Sequence, residues 1–220
     1  MGAVIDGAYV PFENLARDPA RHVALKPEDT ARLVKGTLLV HSHPDGLQCP
    51  SKMDVETQIL LGIPFVILPV SERGPLGKAF SFPQDDVPLL GRPFRYGVLD
   101  CYTLCRDFYR RTLDLELDPF PSDWEWWSQK PPLNMYLDGY ASQGFTDIQV
   151  AEATRPGDVL FMALRSKVPQ HAAIVVDAQR ILHHPAALNE FDPTRLSCLE
   201  VRSIWVRFAV QAARPPEGPP

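Results

Sequence analysis

At 220 residues, 45% of them apolar, the sequence can bury a real core and does not read as disordered. Its formal charge of −5 leaves no basic footprint for nucleic acid and no polybasic membrane patch. Four cysteines are too few for a disulfide framework, which points to a reducing compartment. No apolar run approaches the roughly 18 residues of a membrane span, and no basic-then-apolar leader opens the chain.

The length lies between one large domain and two small ones. Residues 3–12 read as a hairpin turning at Asp6-Gly7. A short helix is predicted over 28–35, and a buried strand from Thr37 to His43, broken by Pro44-Asp45-Gly46. Residues 51–61 read as a helix with Met53, Ile59 and Leu60 facing inward, and Pro64 to Val70 as another buried strand. Prolines and glycines then crowd residues 74–93, with a last strand near Ala79–Phe82. A helix is predicted over 99–113, and a loop or short helix over the Trp-rich Asp123–Ser128. Strands follow at 158–164, 171–177, 180–184 and about 199–208. The proline-rich end reads as a disordered tail.

Asp100-Cys101 opens the helix that follows Gly97. A helix N-terminus offers partial positive charge and free N–H groups, which lower a thiol pKa and hold an oxyanion. His171 begins one strand and His183 lies in the next, so antiparallel pairing would set one imidazole to orient the other. Against this stands the plain alternative that each residue is structural. Cys49, Cys105 and Cys198 are assigned to the core. His184, on the opposite face from His183, is assigned to a solvent or partner contact. In the N-terminal half, His41 and His43 share one strand face and Asp54 starts the next helix, a set that can ligate a metal. Ser51-x-x-Asp54 reads equally well as a capping box.

The run Tyr96-Gly97-Val98-Leu99-Asp100-Cys101-Tyr102-Thr103-Leu104, with Pro156-Gly157-Asp158-Val159-Leu160, His171-Ala172-Ala173-Ile174 and Leu182-His183-His184, resembles the NlpC family of papain-like cell-wall peptidases. With Trp126-Trp127 and Asn134-Met135-Tyr136-Leu137-Asp138 in between, the order resembles more closely a lambdoid phage family of tail-tip assembly proteins. The resemblance implies a cysteine endopeptidase acting on peptidoglycan stem peptides, with Cys101 as nucleophile, His171 as base and His183 orienting it. Either Tyr96 or Tyr102 would add an oxyanion hydroxyl. Trp124, Trp126 and Trp127 either line a substrate groove or simply pack. His41-x-His43-x7-Ser51-x-x-Asp54 resembles the ligand signature of the JAMM (MPN) metalloproteases, which implies zinc on His41, His43 and Asp54. That family's general-base glutamate has no counterpart, since Glu13 and Glu28 stand in the wrong context. Either the true start lies further upstream, or the domain binds zinc without hydrolysis or serves only as structure.

The expected architecture is α+β in two small domains. A JAMM-like α/β sandwich, truncated at its start, covers 1–82, and a linker covers 83–92. An NlpC-type helix-plus-antiparallel-sheet domain covers 93–210, and a disordered tail covers 211–220. The expected partners are peptidoglycan stem peptides and other tail-tip or hub proteins, with no nucleic acid and no membrane span. The expected place is the virion, after synthesis in the host cytoplasm. The alternative is a catalytically silent assembly factor.

Overall fold

The computed structural model describes residues 1–131, 133–185 and 187–217. The chain divides into two compact units, Met1–Asp86 and Val87–Pro220. Among the described residues no helix is long and apolar enough to cross a membrane.

The first unit is built on a six-stranded mixed sheet. Strands β1 (Gly2–Ile5) and β2 (Ala8–Pro11) form the expected hairpin. Asp6 and Gly7 take φ of 51° and 76° at its turn, conformations that Asp and Gly tolerate best. Helix α1 (Pro27–Thr30) is shorter than the eight residues predicted. Strand β3 (Leu38–His43) pairs antiparallel with β1 and parallel with β4 (Phe65–Ser71), and helix α2 (Lys52–Leu61) makes the crossover. The short strands β5 (Gly74–Pro75) and β6 (Phe80–Phe82) both pair with β4. Alternation on β3 turns Leu39, His41 and His43 inward, and Phe65 and Ile67 of β4 are buried with them.

Helix α2 corrects the expected core. Met53, Ile59 and Leu60 are exposed, Leu60 at 83%. The half-buried stripe is instead Asp54, Thr57, Gln58 and Leu61, at helical spacing. Asp54 is held toward the histidines, and that rotation turns Met53 and Leu60 to the opposite side.

The second unit sets helix α3 (Cys101–Leu113) against an antiparallel sheet in the order β13-β11-β10-β9-β14-β8. Its elements in chain order are β7 (Pro93–Arg95), α3, α4 (Met135–Ser142), β8 (Thr146–Ile148), β9 (Val159–Met162), β10 (His171–Val175), β11 (Arg180–His183), β12 (Phe191–Leu196), β13 (Cys198–Val201), α5 (Arg202–Trp205) and β14 (Ala209–Arg214). Strands β7 and β12 form a separate pair. The guanidinium of Arg92 is fully buried. It donates to the carbonyls of Val87 and Pro88 and to Asp107 of α3, which fastens the start of this unit to its helix.

Several expectations give way here. The predicted strand 199–208 ends at Val201 and continues as α5 and a 3-10 turn. The tail predicted from 211 begins instead as β14, which runs to Arg214 between β9 and β8. Ala212 and Ala213 are small enough to be buried there, and the Arg214 fork grips the buried Asp158 carboxylate at 2.8 and 3.0 Å. The rest of that prediction includes residues 218–220, which lie outside the described residues. Cys49 and Cys105 are core residues, but Cys198 is only half-buried. His184 is fully buried rather than solvent-facing. Its Nε2 lies 3.0 Å from the Arg195 carbonyl, and its ring sits edge-on to Phe94.

Candidate functional site

Cys101 is the first residue of α3. Asp100 caps that helix by accepting from the Thr103 N–H, and Thr103 Oγ1 accepts from the Asp100 N–H in return. The Asp100 carboxylate also accepts from the Gly97 N–H at 2.7 Å, which fixes the turn that brings the chain into the helix. The nucleophile candidate therefore stands on a rigid helix start. Helix α3 packs on β10, where His171 is the first residue.

Strands β10 and β11 pair antiparallel with Ala173 opposite His183, so His171 lies diagonally across from His183. Their rings meet, with His171 Nε2 3.0 Å from His183 Nδ1. The expected imidazole pair is thus present. Trp205 of α5 covers it, 4.4 Å from the His183 ring centre, and nothing in the sequence pattern marked that residue.

The sulfur has a partner that sequence reading missed. Tyr136 of α4 brings its hydroxyl within 3.3 Å of Cys101 Sγ. Of the two candidate hydroxyls, Tyr96 is bonded to Ser122 and Tyr102 to the Asp118 carbonyl. Backbone N–H groups of Ala172 and Cys101 also favour negative charge on the sulfur. Among the described residues Cys101 forms no hydrogen bond to His171. Both line one cavity of about 750 Å³ with Tyr96, Trp124, Trp127 and Tyr136. Trp126 is not on this wall; it is buried and packs its ring on Tyr136.

Burial decides the resting charge state. It pushes the Cys101 thiol up to about 12, with the Asp100 carboxylate adding to the effect. Burial also holds His171 well below the imidazole range, reinforced by His183 and His184, and lowers His183 to about 4. Both shifts favour a neutral thiol and a neutral imidazole at rest. The lowered thiol pKa expected from the helix start is not found.

In the first unit His41, His43 and Asp54 come together. His41 Nε2 and His43 Nε2 lie 3.0 and 3.1 Å from the two Asp54 oxygens and 3.3 Å from each other. Ser51 caps α2 through the same Asp54, so capping and convergence coexist. Burial works against the Asp54 charge, yet the hydrogen bonds from His41 and His43 hold the carboxyl far below its usual range. His43 Nδ1 lies 3.2 Å from the Leu47 carbonyl and donates to it, so a neutral ring would turn the Nε2 lone pair toward Asp54. Two lone pairs in contact require a proton or a cation between them, and this donor set fits a divalent metal. Glu13 is exposed and paired with Lys26.

Residues 91–206, just over half of the chain, match the NlpC/P60 family. The tail tip assembly protein K of Escherichia phage N15 is 34% identical over 80% of this chain and 72% of its own length. That of Escherichia phage lambda is 36% identical over 73% of this chain and 76% of its own. The NlpC/p60 domain of the peptidoglycan hydrolase SagA gives a TM-score of 0.38 at 16% identity, over 56% of this chain and 87% of that one. With the Cys101 helix, the histidine strands and the matching segments all inside residues 91–206, the chain belongs to the NlpC/P60 family.

Proposed function

We propose that the second unit is a cysteine endopeptidase that cuts peptidoglycan stem peptides, and that the protein works at a phage tail tip, in assembly and in passage through the cell wall. The observation that carries this reading is Cys101 at a capped helix start, sharing an open cavity with His171, whose Nε2 lies 3.0 Å from His183 Nδ1. In this reading Nδ1 of His171 takes the thiol proton as Sγ attacks the scissile carbonyl carbon. The tetrahedral oxyanion accepts from the Cys101 backbone N–H. His171 returns the proton to the leaving amine, and water then hydrolyses the thioester along the same route. His183 accepts from Nε2–H of His171 and so keeps Nδ1 bare. The names of the phage relatives support the tail-tip setting, and the resemblance to cell-wall peptidases supports the substrate.

Burial of Cys101 supports the silent-scaffold alternative, because it raises the thiol and makes it a poorer resting nucleophile. The experiment that separates them incubates the protein and its Cys101→Ala variant with sacculi and counts new amino termini. Cys101-dependent release supports the peptidase. Equal counts overturn it in favour of the scaffold.

For the first unit we propose a JAMM-like metal domain in which His41, His43 and Asp54 hold zinc. Bound there, zinc would polarise a water or a carbonyl. Zinc content that stays near zero after reconstitution, measured by elemental analysis of the purified chain, would exclude this assignment.

A further inference from the structure

The outer side of the imidazole pair carries a second group of donors. In the pairing of β11 with β13, His183 stands directly opposite Cys198, and Glu200 lies two residues further along the same face. One donor atom from each of His183, Cys198 and Glu200 lies within 4.8 Å of the others. Cys198 is a free thiol, half-buried like Glu200, so the group borders solvent.

His183 supplies the independent sign of a ligand. Its side chain is 0% exposed, and its Nδ1 is engaged with His171. Its Nε2 is buried with no hydrogen-bond partner among the described residues. Leaving such a group unpaired is costly, and native structures rarely do so without a reason. Imidazole, thiolate and carboxylate together form a donor set for a borderline-soft divalent ion, with room for water as a fourth ligand.

We infer that His183, Cys198 and Glu200 form a regulatory zinc site whose occupancy switches His171 off as a base. The switching step rests on the peptidase reading above; the metal site itself does not. The logic follows the protons. A metal bound at His183 Nε2 takes that lone pair, so the ring keeps its proton on Nδ1. Nδ1–H then donates to His171 Nε2, which leaves the His171 proton on Nδ1. That nitrogen has no lone pair for the Cys101 proton. With the ion gone, His171 Nε2–H donates to a bare His183 Nδ1, and Nδ1 of His171 is free to act. The Cys198 thiol proton leaves to solvent as the ion binds.

The test uses the full chain carrying His41→Ala and His43→Ala, so that the first unit's donors are silent while the Ser51–Asp54 cap remains. Cobalt(II) is the probe. With Cys101→Ala added, a single cobalt ion is expected per chain, with a sulfur-to-cobalt charge-transfer band that Cys198→Ala abolishes. Glu200→Gln serves as the second variant, with its fold checked by circular dichroism, and is expected to weaken cobalt binding about tenfold or more. Absence of the band, or its survival in a folded Cys198→Ala chain, overturns the site. The switch is read without peptidoglycan, by mass spectrometry of iodoacetamide labelling at Cys101. Zinc is expected to slow labelling about tenfold or more in the chain with Cys198 and not in Cys198→Ala. Equal labelling with and without zinc overturns the switch. A chain that shows the cobalt band when loaded but cuts no sacculi when stripped of metal would refute the peptidase reading and leave the metal site standing.

Discussion

Replacing Tyr136 with Phe removes one hydroxyl from the site and little else. The ring stays packed against Trp126 and Tyr102, at centroid distances of 5.5 and 5.8 Å. What is lost is the 3.3 Å contact to Cys101 Sγ. While the sulfur is a thiol this is a weak neutral bond, so stability should change by no more than about 1 kcal/mol. When the thiolate forms, the hydroxyl donates to a charge, and such bonds contribute about 1.5–3 kcal/mol. The variant should therefore lose roughly 10- to 150-fold in kcat/KM, at about 1.4 kcal/mol per factor of ten. Its thiol pKa, already raised by burial, should rise further. The assays are stem-peptide hydrolysis and the pH dependence of iodoacetamide labelling at Cys101, beside a urea unfolding curve. Unchanged kcat/KM and labelling would refute the assignment of Tyr136 to the thiolate. A loss of stability as large as the loss of activity would show that the residue only packs.

A neutral resting pair also predicts the shape of the pH profile. Activity requires His171 unprotonated and Cys101 still carrying its proton. Because burial, His183 and His184 all lower His171, the acid limb of kcat/KM should fall below about pH 6.5, with a flat plateau through the alkaline range. A bell centred near neutrality would contradict this and indicate a thiolate–imidazolium pair. His183→Ala should lower kcat about 100-fold with KM nearly unchanged, since the acceptor that fixes the His171 tautomer is gone. His183→Asn, which keeps an acceptor, should recover part of the loss. In the second unit Arg92→Met should cost about 3 kcal/mol, because two backbone carbonyls and Asp107 lose a buried donor fork. All four tryptophans lie in this unit, so their fluorescence during urea unfolding reports the loss directly.

The parts of the site legible in the sequence are those set by local rules. Asp100 before Cys101 is a cap followed by a helix, and His171 and His183 sit in neighbouring strands joined by a tight turn. Those short-range facts were enough to place the two imidazoles together. Tyr136 is not legible as a partner of Cys101, because its contact spans 35 residues and is made by a helix with no clear apolar periodicity. Trp205 hid inside a predicted strand, and β14 hid at the edge of a proline-rich tail. There the deciding facts, two buried alanines and an ion pair from Arg214 to Asp158, are non-local. On α2 the apolar residues misled, since the side turned inward is set by a carboxylate rather than by hydrophobic burial.

The two units use one geometric device, and the residue at the helix start decides its chemistry. In each, a reciprocally capped helix carries a reactive side chain in its first turn, near a strand histidine that meets a second one. In the first unit that side chain is Asp54. Its charge draws both imidazoles toward it and raises His43 despite burial, so the group holds negative charge with donors converging on a point. Such a donor set suits a cation. In the second unit the side chain is Cys101, and the histidines bond each other instead of a carboxylate. Burial there favours uncharged sulfur and imidazoles, which suits the proton transfer proposed above. Exchanging the two helix-start residues should exchange these tendencies. Cys101→Asp should raise His171 toward and above its ordinary value, measurable by NMR titration of the imidazole. A His171 that stays depressed beside the new carboxylate would show that burial alone, and not the residue at the helix start, governs the site.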